Sequence, residues 1–257
     1  MRRLAPSLSI LPGLLAASLV AACGGRERAP EPAYSPQMLA HASYKVVLVA
    51  GDSSDVFDNA TGALQQWLIK RGVAAADIRR LGASRLDAVK GLEVATAQRV
   101  TAAIAGLAAS DGRACLVFIT SDGASRLGLE LGRSGRYLDP LALDAALVRG
   151  CGRAPTVVIA SGDYSGVFAH YPMTRDNRIV LTATSDGQPR FGLVRSFNVY
   201  DGCLLDALDK APTWQAAYGA VTECVSRREA ADGVEHSRPQ ARFGPAVAEM
   251  PLPRLRP

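Results

Sequence analysis

Apolar residues run almost unbroken through Tyr44–Ala50, Cys115–Thr120, Pro155–Ala160 and Arg178–Thr184, and each run is short. Runs of this kind mark strands covered on both faces. Between them the periodicity changes. Asp58–Arg71, stopped by Gly72, and Thr96–Ala109 carry helical apolar stripes, while Ala76–Leu81 reads as a short, more exposed strand. Leu129–Leu138, broken by Gly132 and Gly135, reads as a small hairpin. Asp139-Pro140 opens a helix through Leu147, with the proline in its first turn. Helices over about 202–209 and 213–230 follow, and Ser237–Pro257, with five prolines, reads as irregular. Strands alternating with helices predict an α/β protein, a three-layer α/β/α sandwich around a mostly parallel central sheet. Residues 41–244 are expected to form this domain, with 245–257 as a Pro-rich tail.

The first residues bear on the compartment. Arg2 and Arg3 precede an apolar stretch from Leu4 to Val20, which is too short and too poor in flanking charge for a spanning helix. It reads as a signal peptide over residues 1–22. The stretch ends in Val20-Ala21-Ala22-Cys23-Gly24, which resembles a bacterial lipobox, so Cys23 is the expected lipidation site. Residues 23–40 would then be the lipidated cysteine and a polar, Pro-rich tether. The expectation is a lipid-anchored protein of the bacterial envelope facing the periplasm. Gly24, where an inner-membrane retention aspartate would stand, favours the outer membrane.

An oxidising compartment permits disulfides. Cys115, Cys151, Cys203 and Cys224 remain after Cys23, and four cysteines allow three full pairings. Cys115 and Cys151 each precede an apolar strand and can meet at the amino edge of the sheet; Cys203 and Cys224 lie in adjacent helical segments. No CxxC spacing occurs, which leaves thioredoxin chemistry and structural zinc without support. The formal charge of +5 falls to about +3 without Arg2 and Arg3, and there is no long basic run or aromatic stacking pattern. Nucleic acid is therefore not an expected partner.

In a parallel sheet, ligands gather beyond the carboxyl ends of the strands. Those ends here are Ala50-Gly51-Asp52, Thr120-Ser121-Asp122-Gly123, Ser161-Gly162-Asp163-Tyr164-Ser165-Gly166 and Thr184-Ser185-Asp186-Gly187. Glycine and small polar residues at four strand ends suggest a cleft lined by Gly51, Asp52, Ser121, Gly123, Ser161, Gly162, Ser165 and Ser185. Gly51-Asp52-Ser53-Ser54 fits neither GxGxxG nor GxxxxGK[ST], so no nucleotide cofactor is indicated, and no other cofactor is expected. The GxSxG elbow fails because Tyr164 stands at the serine position. Ser165 as nucleophile would need a base, and of His41, His170 and His236 only His170 is near in sequence. Asp122 and Asp163 end adjacent strands. Facing each other, they could share a proton, hold a divalent cation or accept backbone N–H groups.

The order of pieces KVVLVAGD, LVFITSDG, LDPLALDAAL, TVVIASGDYSG, NRIVLTATSDGQPRFG and SRPQARFG resembles the legumain-like cysteine peptidases, peptidase family C13 of the caspase-like clan, over roughly residues 44–244. The resemblance implies a caspase/legumain-like sandwich. It also implies a histidine base after the third conserved strand and a cysteine nucleophile after the next. Laid on this chain, the histidine position is Asp122 and the cysteine position is Asp163, with the neighbouring glycine and serine matching. An acidic residue that the family carries two places before the cysteine is Ser161 here. A carboxylate has low reactivity toward an amide, and Asp122 is a poor substitute for an imidazole base. The thiolate mechanism needs a soft nucleophile beside a base.

A non-catalytic relative that binds a peptide or an envelope protein is the leading expectation. The alternatives are an active hydrolase using Asp122 and Asp163 or Ser165, and a structural or assembly factor of the envelope.

Overall fold

A computed structural model describes residues 34–84, 89, 91–110, 112–132, 136–190 and 195–253. The signal peptide, Cys23 and most of the tether lie outside the described residues. Among the described residues, no helix is long and apolar enough to cross a membrane.

The helices are α1 Pro36–His41, α2 Asp55–Lys70, α3 Ala97–Ala105, α4 Pro140–Gly150, α5 Val199–Leu208 and α6 Trp214–Asp232. The strands are β1 Ser43–Ala50, β2 Ile78–Gly82, β3 Glu93–Val94, β4 Arg113–Thr120, β5 Gly123–Ala124, β6 Gly128–Glu130, β7 Tyr137–Leu138, β8 Thr156–Ser161, β9 Arg178–Thr182 and β10 Gln240–Phe243. The main sheet has the order β10-β9-β8-β4-β1-β2-β3, and β5-β6-β7 form a small antiparallel sheet. Every pair in the main sheet is parallel except β10 against β9. The chain order along the sheet reverses between β1 and β4, which makes that boundary the topological switch point.

Alternation along each strand explains the three layers. Val46, Leu48, Leu116, Phe118, Val157 and Ile159 face α2, α5 and α6, packing with Leu64, Leu204 and Trp214. Val47, Val49, Val117, Ile119, Val158 and Ala160 face α3 and α4, packing with Ile104, Leu143 and Leu147. Both sets are buried, so the apolar runs are continuous rather than alternating. Each large side chain removed from water contributes about 1.5–3 kcal/mol before chain entropy is counted. Side chains also set helix boundaries: Asp139 accepts from Ala142 N at 2.8 Å, just ahead of Pro140.

Both disulfides form as the sequence suggests. Cys115 at the amino end of β4 joins Cys151 at the end of α4, with Cα atoms 6.0 Å apart. Cys203 of α5 joins Cys224 of α6, with Cα atoms 5.7 Å apart.

Three expectations are corrected. Ser237–Pro257 is not irregular throughout, because β10 pairs antiparallel with β9, Phe243 opposite Ile179. Its half-exposed residues and the preceding Pro239 hide the pattern of an edge strand. Packing also continues beyond residue 244: Val247, Met250 and Leu252 are buried in the α2/α5/α6 layer, and Pro251 bridges Thr213. At the other end, α1 takes up the last tether residues. Ser35 caps it by accepting from Met38 N at 3.1 Å, and Leu39 is buried.

One buried ion group ties α4 to β9. Arg175 donates twice to Asp144, at 2.9 and 2.7 Å, and Arg178 Nη1 donates to Asp144 Oδ1 at 2.9 Å. Burial pushes the Asp144 carboxyl up, but the two guanidinium groups outweigh it and hold the carboxyl below its ordinary range. Asp144→Ala leaves Arg178 buried without this counter-charge and should cost about 3–5 kcal/mol in urea unfolding followed by circular dichroism. A depressed carboxyl stabilises the fold above its unfolded pKa of about 4 and loses that effect as pH falls through the folded value. The difference between wild type and Asp144→Ala should therefore be full at neutral pH and close only in strong acid.

Candidate functional site

The register of β1, β4 and β8 builds the site. Ala50 pairs with Thr120 and Thr120 with Ser161, so the three strands end on one line. Asp52, Asp122 and Asp163 each stand two residues beyond that line. Parallel pairing thus delivers three carboxylates to one edge, beside the switch point.

The carboxylates are bridged by a residue that the sequence reading missed. Arg190 Nη2 donates to Asp122 Oδ1 at 2.7 Å, and its Nε donates to Asp163 Oδ1 at 3.3 Å. Its backbone N–H donates to the same Asp163 oxygen at 2.6 Å. The guanidinium carbon lies 5.2 Å from the centre of the Phe57 ring, within cation–π range. The Arg190 side chain is 16% exposed, Asp163 21% and Asp122 53%. Tyr164 N donates to Gln188 O at 2.9 Å, so residues 188–190 run beside the loop that carries Asp163. The available signal was one of two arginines in the loop following β9, Arg190 and Arg195, with nothing local to show its reach across two other strands.

Burial pushes the Asp122 carboxyl above the ordinary range; Arg190 opposes that push, while Asp163, Asp52 and Glu130 add to it. The expected sharing of a proton or cation is thus answered by a guanidinium. Among the described residues, no group of three or more His, Cys, Asp or Glu is arranged to hold a metal ion.

Beneath the clamp lies a buried polar floor. Asp201 of α5 is 1% exposed, and its Oδ2 accepts from Thr120 Oγ1 and from Asn198 Nδ2, both at 2.6 Å. Burial raises the Asp201 carboxyl, with Ser161, Thr120, Arg190 and Asn198 offsetting part of the effect. The Ser161 hydroxyl lies beside Asp201, yet neither Ser161 Oγ nor Asp201 Oδ1 completes a well-aligned hydrogen bond. Asp201 was also missed. Its one local signal is the Asn198-x-x-Asp201 spacing of a helix start, in which Asn198 Oδ1 accepts from Asp201 N at 2.8 Å.

The other expected cleft residues divide by role. Ser121 is buried and donates to Glu130 O at 2.6 Å, tying the small sheet to β4. Gly51 N donates to Thr120 O and Gly51 O accepts from Gly132 N, so it serves the same junction. Gly123 and Gly162 permit close approach: a Cβ at Gly123 would lie 2.2 Å from Asp163 O, and one at Gly162 would lie 2.2 Å from a Leu129 methyl. Asp52 Oδ1 accepts from Ser54 N at 3.2 Å ahead of α2. Ser165 is buried, and its Oγ accepts from Ala183 N and Thr184 N at 3.1 and 3.2 Å, which staples the loop after β8 to the end of β9. Ser185 N donates to Ser237 O, a contact of the loop rather than of the clamp. His170 lies 3.8 Å from Asp186 and is exposed, whereas Ser165 is buried. A cavity of about 470 Å³ opens beside α5, lined in part by Arg195, Phe197, Val199 and Arg228.

No family model and no curated protein matches this sequence. Among solved structures, the chain is similar to caspase-1 from Spodoptera frugiperda, at 12% identity and a TM-score of 0.58 over 84% of this chain and 93% of that one. That likeness shows the fold: a mostly parallel sheet between helical layers, as in the caspase/legumain clan.

Arg190→Ala should lower stability by about 1–2 kcal/mol at neutral pH in thermal unfolding, the scale of a charge-assisted bond group that is partly screened by solvent at Asp122. A raised carboxyl stabilises the fold fully below about pH 4 and loses that contribution as pH rises through its folded value. Removing the opposing cation strengthens this behaviour, so the deficit should shrink as pH is lowered.

Proposed function

We propose that this chain is a non-catalytic binding protein on a legumain-type fold, with a cleft at the carboxyl edge of its sheet that takes a peptide or an envelope protein. The observation that carries the reading is the Asp122–Arg190–Asp163 bridge at the two positions where the resemblance to legumain-like peptidases puts base and nucleophile. Each carboxylate gives an oxygen to the same guanidinium, and a carboxylate has low reactivity toward an amide carbon. Ser165 offers little to the hydrolase alternative, because its oxygen already accepts two backbone N–H groups in the interior. The lipobox-like Val20–Gly24 adds an acyl anchor at Cys23 and placement in the bacterial envelope, facing the periplasm.

The purified chain and its Asp163→Asn variant should both release no fluorophore above the blank from a broad set of fluorogenic peptides. Turnover by wild type that disappears in Asp163→Asn would make it a hydrolase and sink the reading. In cells fed an alkyne-bearing fatty acid, wild type should take up label and sediment with outer membranes. Cys23→Ser should lose both properties; unchanged labelling in that variant would refute the anchor.

A further inference from the structure

We infer that the strand-end cleft is a receptor for a guanidinium-bearing segment of a partner protein, and that Arg190 occupies it as an internal stand-in. The inference rests on the reading of this cleft as a binding site. Arg190 is held as a ligand would be. Its edge meets carboxylates from two different strand ends, its face lies on Phe57 of α2, and its own backbone N–H joins Asp163. The groups that grip it come from positions 57, 122 and 163, so the grip is a product of the fold rather than of local chain geometry.

Among the described residues, the site also gathers more carboxylates around Asp122 than Arg190 balances. Asp163, Asp52 and Glu130 all act on Asp122, in a chain whose formal net charge is +5. Independently, the floor between β4 and β8 keeps two buried oxygens, Asp201 Oδ1 and Ser161 Oγ, without a well-formed partner, and Arg190 lies near enough to pull on the Asp201 carboxyl. A cationic donor entering from a partner meets Asp122, whose side chain is 53% exposed and bonds Arg190 through Oδ1. Arginine fits better than lysine, because a planar fork bonds two carboxylates at once and stacks on a ring.

An internal ligand competes at a local concentration on the order of millimolar, so the free site is the minor population until Arg190 is displaced. Removing the competitor should therefore tighten binding. The test is calorimetric titration of the whole mature chain with an arginine-centred heptapeptide and its citrulline counterpart, which keeps the shape and loses the charge. Wild type should bind the arginine peptide weakly. Arg190→Met, which keeps an apolar stem over Phe57, should bind it at least about tenfold tighter. Arg190→Gln, which keeps a donor toward a carboxylate, carries the same expectation if the methionine variant fails to fold. The gain should vanish when Asp122→Asn and Asp163→Asn are added.

Equal or weaker binding by both Arg190 variants overturns the inference. Citrulline and arginine peptides that bind alike, with loss in the Asp122→Asn/Asp163→Asn variant, overturn it while leaving a peptide-binding cleft. No binding of either peptide to any variant overturns the inference, whereas the binding reading falls only if arginine-free envelope peptides and proteins also fail to bind.

Discussion

Three parallel strands that stop on one register line place their next residues in one small volume. Ala50, Thr120 and Ser161 are level, and an aspartate follows each by two residues. The pairing that creates the core therefore also creates a concentration of like charge at its edge. Nothing in the sheet relieves it, since the dipoles of β-strands are small. Relief comes from outside the three strands: Arg190 from the loop after β9, and Phe57 from α2, whose ring takes the face of the cation.

The same edge explains the buried floor. Thr120 and Ser161 point toward the α2/α5 layer, where the strand faces change from apolar to hydroxyl-bearing at the last position. Asp201 fills that level from α5, and the start of the helix is organised around it by Asn198. A buried carboxyl is costly unless its lone pairs are met. Here one oxygen is well bonded and the other is not. The core below is close-packed and apolar, so this layer is where polarity can be set without disturbing the sheet.

How much of this was legible in the chain depends on the range of the interaction. Continuous apolar runs identify β1, β4, β8 and β9, because burial on both faces leaves no ambiguity of phase. Cys115–Cys151 and Cys203–Cys224 followed from which ends of which elements the cysteines occupy. Strand β10 escaped because an edge strand needs no apolar run and Pro239 argues locally against one. Arg190 escaped for a stronger reason. Its partners are 27 and 68 residues away, and only the three-dimensional register says that Asp122 and Asp163 lie within reach of one guanidinium. Asp201 reads locally as an unremarkable residue in the first turn of a helix, and its burial is a tertiary fact.

The identity of the two strand-end residues then has a physical explanation. The resemblance to legumain-like peptidases puts a histidine and a cysteine at these positions, and two unrelated changes need not arrive at the same side chain. A single cation between the two positions removes the coincidence, since each aspartate bonds the same guanidinium. Aspartate is short enough to meet it from strand ends whose backbones touch at Gly123 and Asp163. The pair is a unit with one counter-ion, Arg190.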